Sequence, residues 1–269
     1  MIEDELYAVF IFDHERTSDM VSEWYQQNLD ERPEHILLFA GTKYDKLANV
    51  GPQLLYTPVD SELYDLGRHQ IDEQGEGVVF YTRAGFPDVC EWATGLVAVK
   101  TEHGGALFRF YEPSIIDVVE EAFGKERWWT LLPIIVMVEH FSEGVWVNYE
   151  NSQLALTSRD VKYASLTSDE LNRLSRCREF KFYQKIADNY QQQIRATDQI
   201  EWVSVQCTNA KNYQLETQYL LEQWVRAALL YGDHFFLHQQ LQSVLKDVSF
   251  TAMRKWKVIE PLLPSLTFE

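Results

Sequence analysis

Apolar residues in the first part of the chain fall in short runs separated by polar turns. Tyr7-Ala-Val-Phe-Ile-Phe12 reads as a buried strand, and from about Ser18 to Leu29 the residues Met20, Val21, Trp24 and Tyr25 share one helical face. Ile36 to Phe39 forms a second strand-like run. Gly41-Thr42 opens a short helix to about Asn49, and Gly51-Pro52 breaks it before a further apolar run, Gln53 to Tyr56. Val78 to Tyr81 is strand-like, Asp88 to Val99 helical, and Ala106 to Tyr111 a strand again. This alternation predicts an α/β (α+β) N-terminal lobe with a mixed sheet. Ile134 to Glu139, Val145 to Tyr149 and Gln153 to Thr157 predict a small β appendage near residues 134–157.

The pattern changes after about Ser165. Thr167-Ser-Asp-Glu170 has capping-box spacing, in which hydroxyl and carboxylate each satisfy an amide left unpaired at a helix start. Beyond it, Phe182, Tyr183, Ile186, Ala187, Tyr190 and Ile194 make a broad apolar face, and Arg178, Lys181 and Lys185 a separate basic stripe. Tyr213, Leu220, Trp224, Ala227 and Tyr231 keep helical spacing up to Gly232, where a helix should stop. Asp233 is then expected to cap a helix carrying Leu237, Leu241, Val244, Leu245 and Val248. The expected division is an acidic α/β domain over 1–164 and an all-α lobe over 165–269.

Charge sharpens the division. Residues 1–164 hold 12 Lys and Arg against 29 Asp and Glu, the whole net charge of −17, while the remainder is balanced at 12 against 12. An acidic surface disfavours nucleic acid, whose phosphates require a positive partner, and favours basic protein partners. Cys90, Cys177 and Cys207 are odd in number and lack paired spacing, so neither a disulfide framework nor a zinc site is expected. The acidic start, Met1-Ile-Glu-Asp-Glu5, is unlike a signal peptide. The longest apolar run, Leu131 to Val138, is far short of the ~20 residues of a membrane span. A protein retained in a reducing cytoplasm, without contact with a membrane, is expected.

Candidate chemistry is sparse. Arg109 sits within Leu107-Phe-Arg-Phe-Tyr-Glu-Pro113; on a strand, Leu107, Arg109 and Tyr111 face one way and the two phenylalanines the other. Pro113 suits the first turn of a helix with Ile115, Ile116, Val119, Ala122 and Phe123 on its apolar face. A catalytic role for Arg109 would need a neighbouring nucleophile or base, and the local sequence offers none. His234 and His238 have metal-ligand spacing on a helix but no evident third ligand, which favours surface or cap roles. Gly75-Glu-Gly77 and Gly104-Gly105 lack the rest of a nucleotide loop. No catalytic residue, cofactor or metal is therefore expected. The candidates for contact with a partner are Arg178, Lys181 and Lys185, together with Trp128 and Trp129, because tryptophan is enriched at interface hot spots.

Four segments carry a resemblance: Tyr7-Ala-Val-Phe-Ile-Phe-Asp13, Leu38-Phe-Ala-Gly-Thr42, Gly51-Pro-Gln-Leu-Leu55 and, most specific, Leu107-Phe-Arg-Phe-Tyr-Glu-Pro113. Over roughly residues 5–140 the chain resembles the effector chaperone or adaptor family of bacterial type VI secretion. That family commonly has aspartate where Glu112 stands here. The resemblance implies a cytoplasmic, non-catalytic adaptor that binds a toxin effector and helps load it onto the VgrG spike, with Arg109, Tyr111, Glu112, Pro113, Gly51 and Pro52 as structural elements of the scaffold. An acidic immunity protein that blocks a basic toxin is the competing expectation, and an enzyme of another type the third.

Overall fold

The computed structural model of the chain describes residues 5–13, 34–142, 144–151 and 165–266. Two compact units divide it, Met1–Arg178 and Glu179–Glu269. The first is built on a six-stranded sheet ordered β2-β3-β1-β4-β7-β8, from β1 (Tyr7–Asp13), β2 (Glu34–Leu37), β3 (Pro52–Pro58), β4 (Glu76–Thr82), β7 (Ile135–Ser142) and β8 (Val145–Glu150). Every pairing is antiparallel, so the expected α+β class holds with an antiparallel rather than a mixed sheet.

Strand alternation gives the sheet two apolar faces. Val9 and Ile11 of β1, with Leu54, Tyr56, Val78, Phe80 and Val138 on neighbouring strands, pack under α2 (Phe86–Val97), α3 (Pro113–Phe123) and α4 (Lys125–Leu131). Ala8, Phe10 and Phe12 point the other way, with Leu55, Val79, Tyr81 and Phe141, onto α1 (Glu62–Gln74). Burial on both faces explains why these central strands read as continuous apolar runs. Helix α1 was not signalled by apolar periodicity; its marks are its ends, Ser61 accepting from the Tyr64 amide and Gly75 in the left-handed region.

Several expectations shift. The helix foreseen at 18–29 and the strand at Gln153 to Thr157 lie outside the described residues. Strands β7 and β8 are integral to the main sheet instead of an appendage, because β7 pairs with β4 along its length. Ala106 to Tyr111 is not a strand of the sheet: after the small hairpin of β5 (Lys100–Thr101) and β6 (Gly104–Gly105), the Ala106 and Phe108 amides donate to the carbonyls of Val99 and Val97, and Phe110 and Tyr111 form a turn. The alternation holds through Phe110, yet Tyr111 turns inward and is buried with Phe108 and Phe110.

The second unit is helical. It takes in the end of α5 (Ser168–Asn189), α6 (Gln199–Lys211), α7 (Gln218–Tyr231), α8 (Gln239–Leu245) and α9 (Ala252–Ile259) around a core that includes Ile186, Cys207, Trp224, Phe235, Leu241 and Trp256. Thr217 caps α7 and Gly232 ends it. Asp233 does not cap the next helix. It accepts from the Trp202 indole at 3.1 Å, and the cap of α8 is the His238 side chain, which accepts from the Gln240 amide. Leu237 and Val248, expected on the apolar face, are exposed. All three cysteines are free thiols, and burial pushes Cys90 up to about 11 and Cys207 up to about 12.

Gly67 on α1 lies against the Phe10 ring, and a Cβ there would sit 2.7 Å from Phe10 Cζ. Gly67→Ala is expected to lower stability by about 1–3 kcal/mol through overpacking, read from the urea unfolding midpoint.

Candidate functional site

A polar cluster gathers around Glu112, at the junction between the extended segment and α3. Pro113 occupies the first helical turn and Glu112 is the N-cap residue by backbone geometry, but its carboxylate makes no capping bond. It accepts instead from two arginines. Arg109 Nη1 reaches Glu112 Oε1 at 2.8 Å, and Arg178 Nη2, from α5, reaches Glu112 Oε2 at 3.2 Å and Ser114 Oγ at 3.1 Å. Arg109 Nη2 also lies 3.3 Å from Asp13 Oδ2, at the end of β1. Burial opposes the charge on Arg109, but Glu112 and Asp13 outweigh it and raise the guanidinium. Two carboxylates, Glu112 and Asp13, and two guanidiniums thus join the end of β1, the extended segment, the start of α3 and α5.

The length of the Glu112 side chain suits this geometry. The shorter side chain is the better cap, whereas the longer one carries its oxygens away from the helix amides to meet both arginines. Tyr111, beneath, stands edge-on to Phe110 with ring centroids 5.7 Å apart. Gly51 closes the 3-10 turn Asp45–Val50 against the Phe39 ring and leaves no room for a Cβ, so Gly51 and Pro52 hold the entry to β3.

The other candidates separate. Trp128 and Trp129, expected at a partner surface, are 1% and 3% exposed and belong to the core under α4; the apolar environment of two adjacent large rings outweighs their hot-spot propensity. Lys181 and Lys185 are exposed, while Arg178 is half-buried and engaged with Glu112 and Ser114. The capping box forms as expected, with Thr167 N–H donating to Glu170 Oε2 at 2.7 Å and the Glu170 amide to Thr167 Oγ1 at 3.1 Å. Arg127 Nε adds a bond to Glu170 Oε1 at 2.7 Å that spacing alone could not reveal.

A second cluster was not foreseen in the sequence. On the α1 side of the sheet, Arg68 donates to Tyr81 Oη at 3.0 Å and to Glu139, Tyr81 and Tyr64 hydroxyls lie 3.0 Å apart, and the Arg68 guanidinium stacks on Trp146 of β8 with 3.5 Å to the ring centroid. Trp146 Nε1 donates to Asp72 Oδ1 at 3.0 Å. Its members come from α1, β4, β7 and β8, so no local spacing announces it. Among the described residues, no group of three His, Cys, Asp or Glu side chains is placed to hold a metal ion, and no helix is long and apolar enough to cross a membrane.

Residues 6–129 match DUF4123, a domain of unknown function. Neither a curated protein nor a solved structure matches the chain. The DUF4123 match contains Asp13, Gly51, Pro52 and the whole Arg109–Pro113 segment, and it ends inside α4. Arg178, the second arginine on Glu112, lies beyond it, as do β7, β8 and the helical unit.

Glu112→Ala should lower stability by about 1 kcal/mol in urea unfolding, and Glu112→Asp by less, since the pairs are partly exposed. At Glu170, burial alone would raise the carboxyl, but Arg127 and Thr167 hold it below its ordinary value. A depressed folded value contributes stability that is full above the unfolded value of about 4.5 and is lost as pH falls through the folded one. Glu170→Gln should therefore lower the urea midpoint near neutral pH and flatten its decline as pH falls below about 4.5.

Proposed function

We propose that the protein is a non-catalytic cytoplasmic adaptor that binds a toxin effector of bacterial type VI secretion and helps load it onto the VgrG spike. The resemblance over residues 5–140 and the DUF4123 match over 6–129 support this reading. The observation that carries it is the Glu112 junction. The most specific segment of the resemblance has its arginine engaged by Asp13 and Glu112 at a strand-to-helix turn, which suits a scaffold better than a reacting centre. Confinement of the net charge of −17 to residues 1–164 supports a division of labour, with the acidic unit and the helical unit serving different partners.

Affinity purification of the tagged protein from its own bacterium, with identification of co-eluting chains and assay of any toxin, tests the reading. A toxin still active in the complex, together with a spike protein, is the expected result. A toxin recovered alone and silenced would identify an immunity protein instead. Reversal of the exposed pair, Lys181→Glu with Lys185→Glu, is expected to weaken one partner about tenfold and spare the other at equal salt; equal loss of both, or of neither, would dismiss the division between units.

A further inference from the structure

Strand β8 ends the sheet order, and its outer edge is open among the described residues. Which of its backbone groups face outward follows from one hydrogen bond. Asn151 N–H donates to Val136 O at 2.9 Å, which makes 136 and 151 a hydrogen-bonded pair in the register that runs Met137↔Glu150 to Ser142↔Val145. Antiparallel pairs alternate, so 138 with 149, 140 with 147 and 142 with 145 bond inward. Trp146, Asn148 and Glu150 therefore turn their N–H and C=O groups away from β7.

Edge strands are ordinarily guarded by lysine, proline, a bulge or a cover. Val145-Trp-Val-Asn-Tyr-Glu150 has no lysine, arginine or proline and no bulge against β7, it is rich in strand-forming residues, and Val145 and Val147 are 59% and 41% exposed. From the inner side, Trp146 is held by Arg68 and Asp72.

The charge beside the edge has one predominant sign. On the side of Val145, Val147 and Tyr149, α3 brings Asp117 within 3.5 Å of His140 Nδ1, and Asp117 and Glu120 add to burial in raising the Tyr149 phenol. On the other side stand Asp72, exposed, and Glu150, exposed at the strand end, while Arg68, on the same side, is bound to Glu139.

We infer that the open edge of β8 is a docking site for an extended, cationic segment of a partner protein, which adds to the sheet as a seventh strand. The backbone groups of Trp146, Asn148 and Glu150 supply the affinity that strand addition draws from the main chain. The exposed valines receive aliphatic side chains at alternate positions, and Asp72, Asp117, Glu120 and Glu150 attract the lysines or arginines between them. The inference deepens the binding reading above, since it takes the partner to be a protein, but it does not depend on that partner being a toxin.

The test uses the full chain and a labelled, strand-length peptide of alternating lysine and valine, followed by fluorescence anisotropy. Saturable binding that weakens with salt is expected, with slowed hydrogen exchange at the Trp146, Asn148 and Glu150 amides. Asn148→Pro removes an outward N–H while sparing the ladder to β7, and should weaken binding about tenfold. Val145→Lys with Val147→Lys, at exposed positions, should do the same if the proline variant does not fold. Absence of binding, equal binding of a peptide with prolines in place of two valines, or affinity unchanged in both variants would overturn the inference. A concentration-dependent dimer that Asn148→Pro dissolves would overturn it in favour of a second copy of the chain. The peptide assay involves no toxin, so its failure leaves the loading function standing, and failure to recover a toxin leaves the edge result intact.

Discussion

A single carboxylate holding two guanidiniums is the constraint on which the first unit's helical layer depends. The extended segment after the small hairpin donates two backbone bonds, to the carbonyls of Val97 and Val99, and its phenylalanines give it burial without direction. Glu112 supplies direction. By engaging Arg109 and Arg178 together it fixes where α3 begins, and through Asp13 the same arginine refers that start to the central strand. Helix α3 then carries Ile115, Ile116, Val119 and Ala122 onto the sheet, where their burial contributes far more than the ion pairs themselves. The charges decide register; the apolar contacts supply the stability.

The antiparallel sheet is covered unequally. Among the described residues, three helices lie on one face and α1 on the other, and both faces are apolar at the centre, while polarity returns toward β8. Arg68, Tyr81 and Glu139 mark that transition. Burying an arginine near a sheet requires several acceptors, and the stacking on Trp146 gives its planar group an apolar support that a lysine would not use as well. The cluster anchors the last strand from beneath and, among the described residues, leaves its far side bare.

Much of this organisation was legible in the residues. Central strands, the proline-led helix at 113 and the Thr167–Glu170 box follow from local period or cap chemistry, which a short window contains. Other features failed for identifiable reasons. Helix α1 mixes Tyr64, Leu66 and Ile71 with so many polar residues that only its Ser61 and Gly75 ends declare it. Extended conformation at Leu107 to Arg109 resembles a strand because alternation reports which way side chains point, not whether a ladder forms. Trp128 and Trp129 stand as candidates for partner contact in the sequence because it does not reveal which of many aromatics a core can hold. The partners of Glu112 and of Arg68 are 66 and 71 residues away along the chain, beyond the reach of any local rule.

The free thiols have a practical and physiological consequence. Nucleophilic attack and oxidation proceed through the thiolate, and burial keeps Cys90 and Cys207 in the neutral form at ordinary pH, with Cys177 shifted in the same direction. The three thiols are therefore poorly poised for mixed-disulfide formation, and a cysteine introduced on the surface would be the site that a maleimide or disulfide probe finds first.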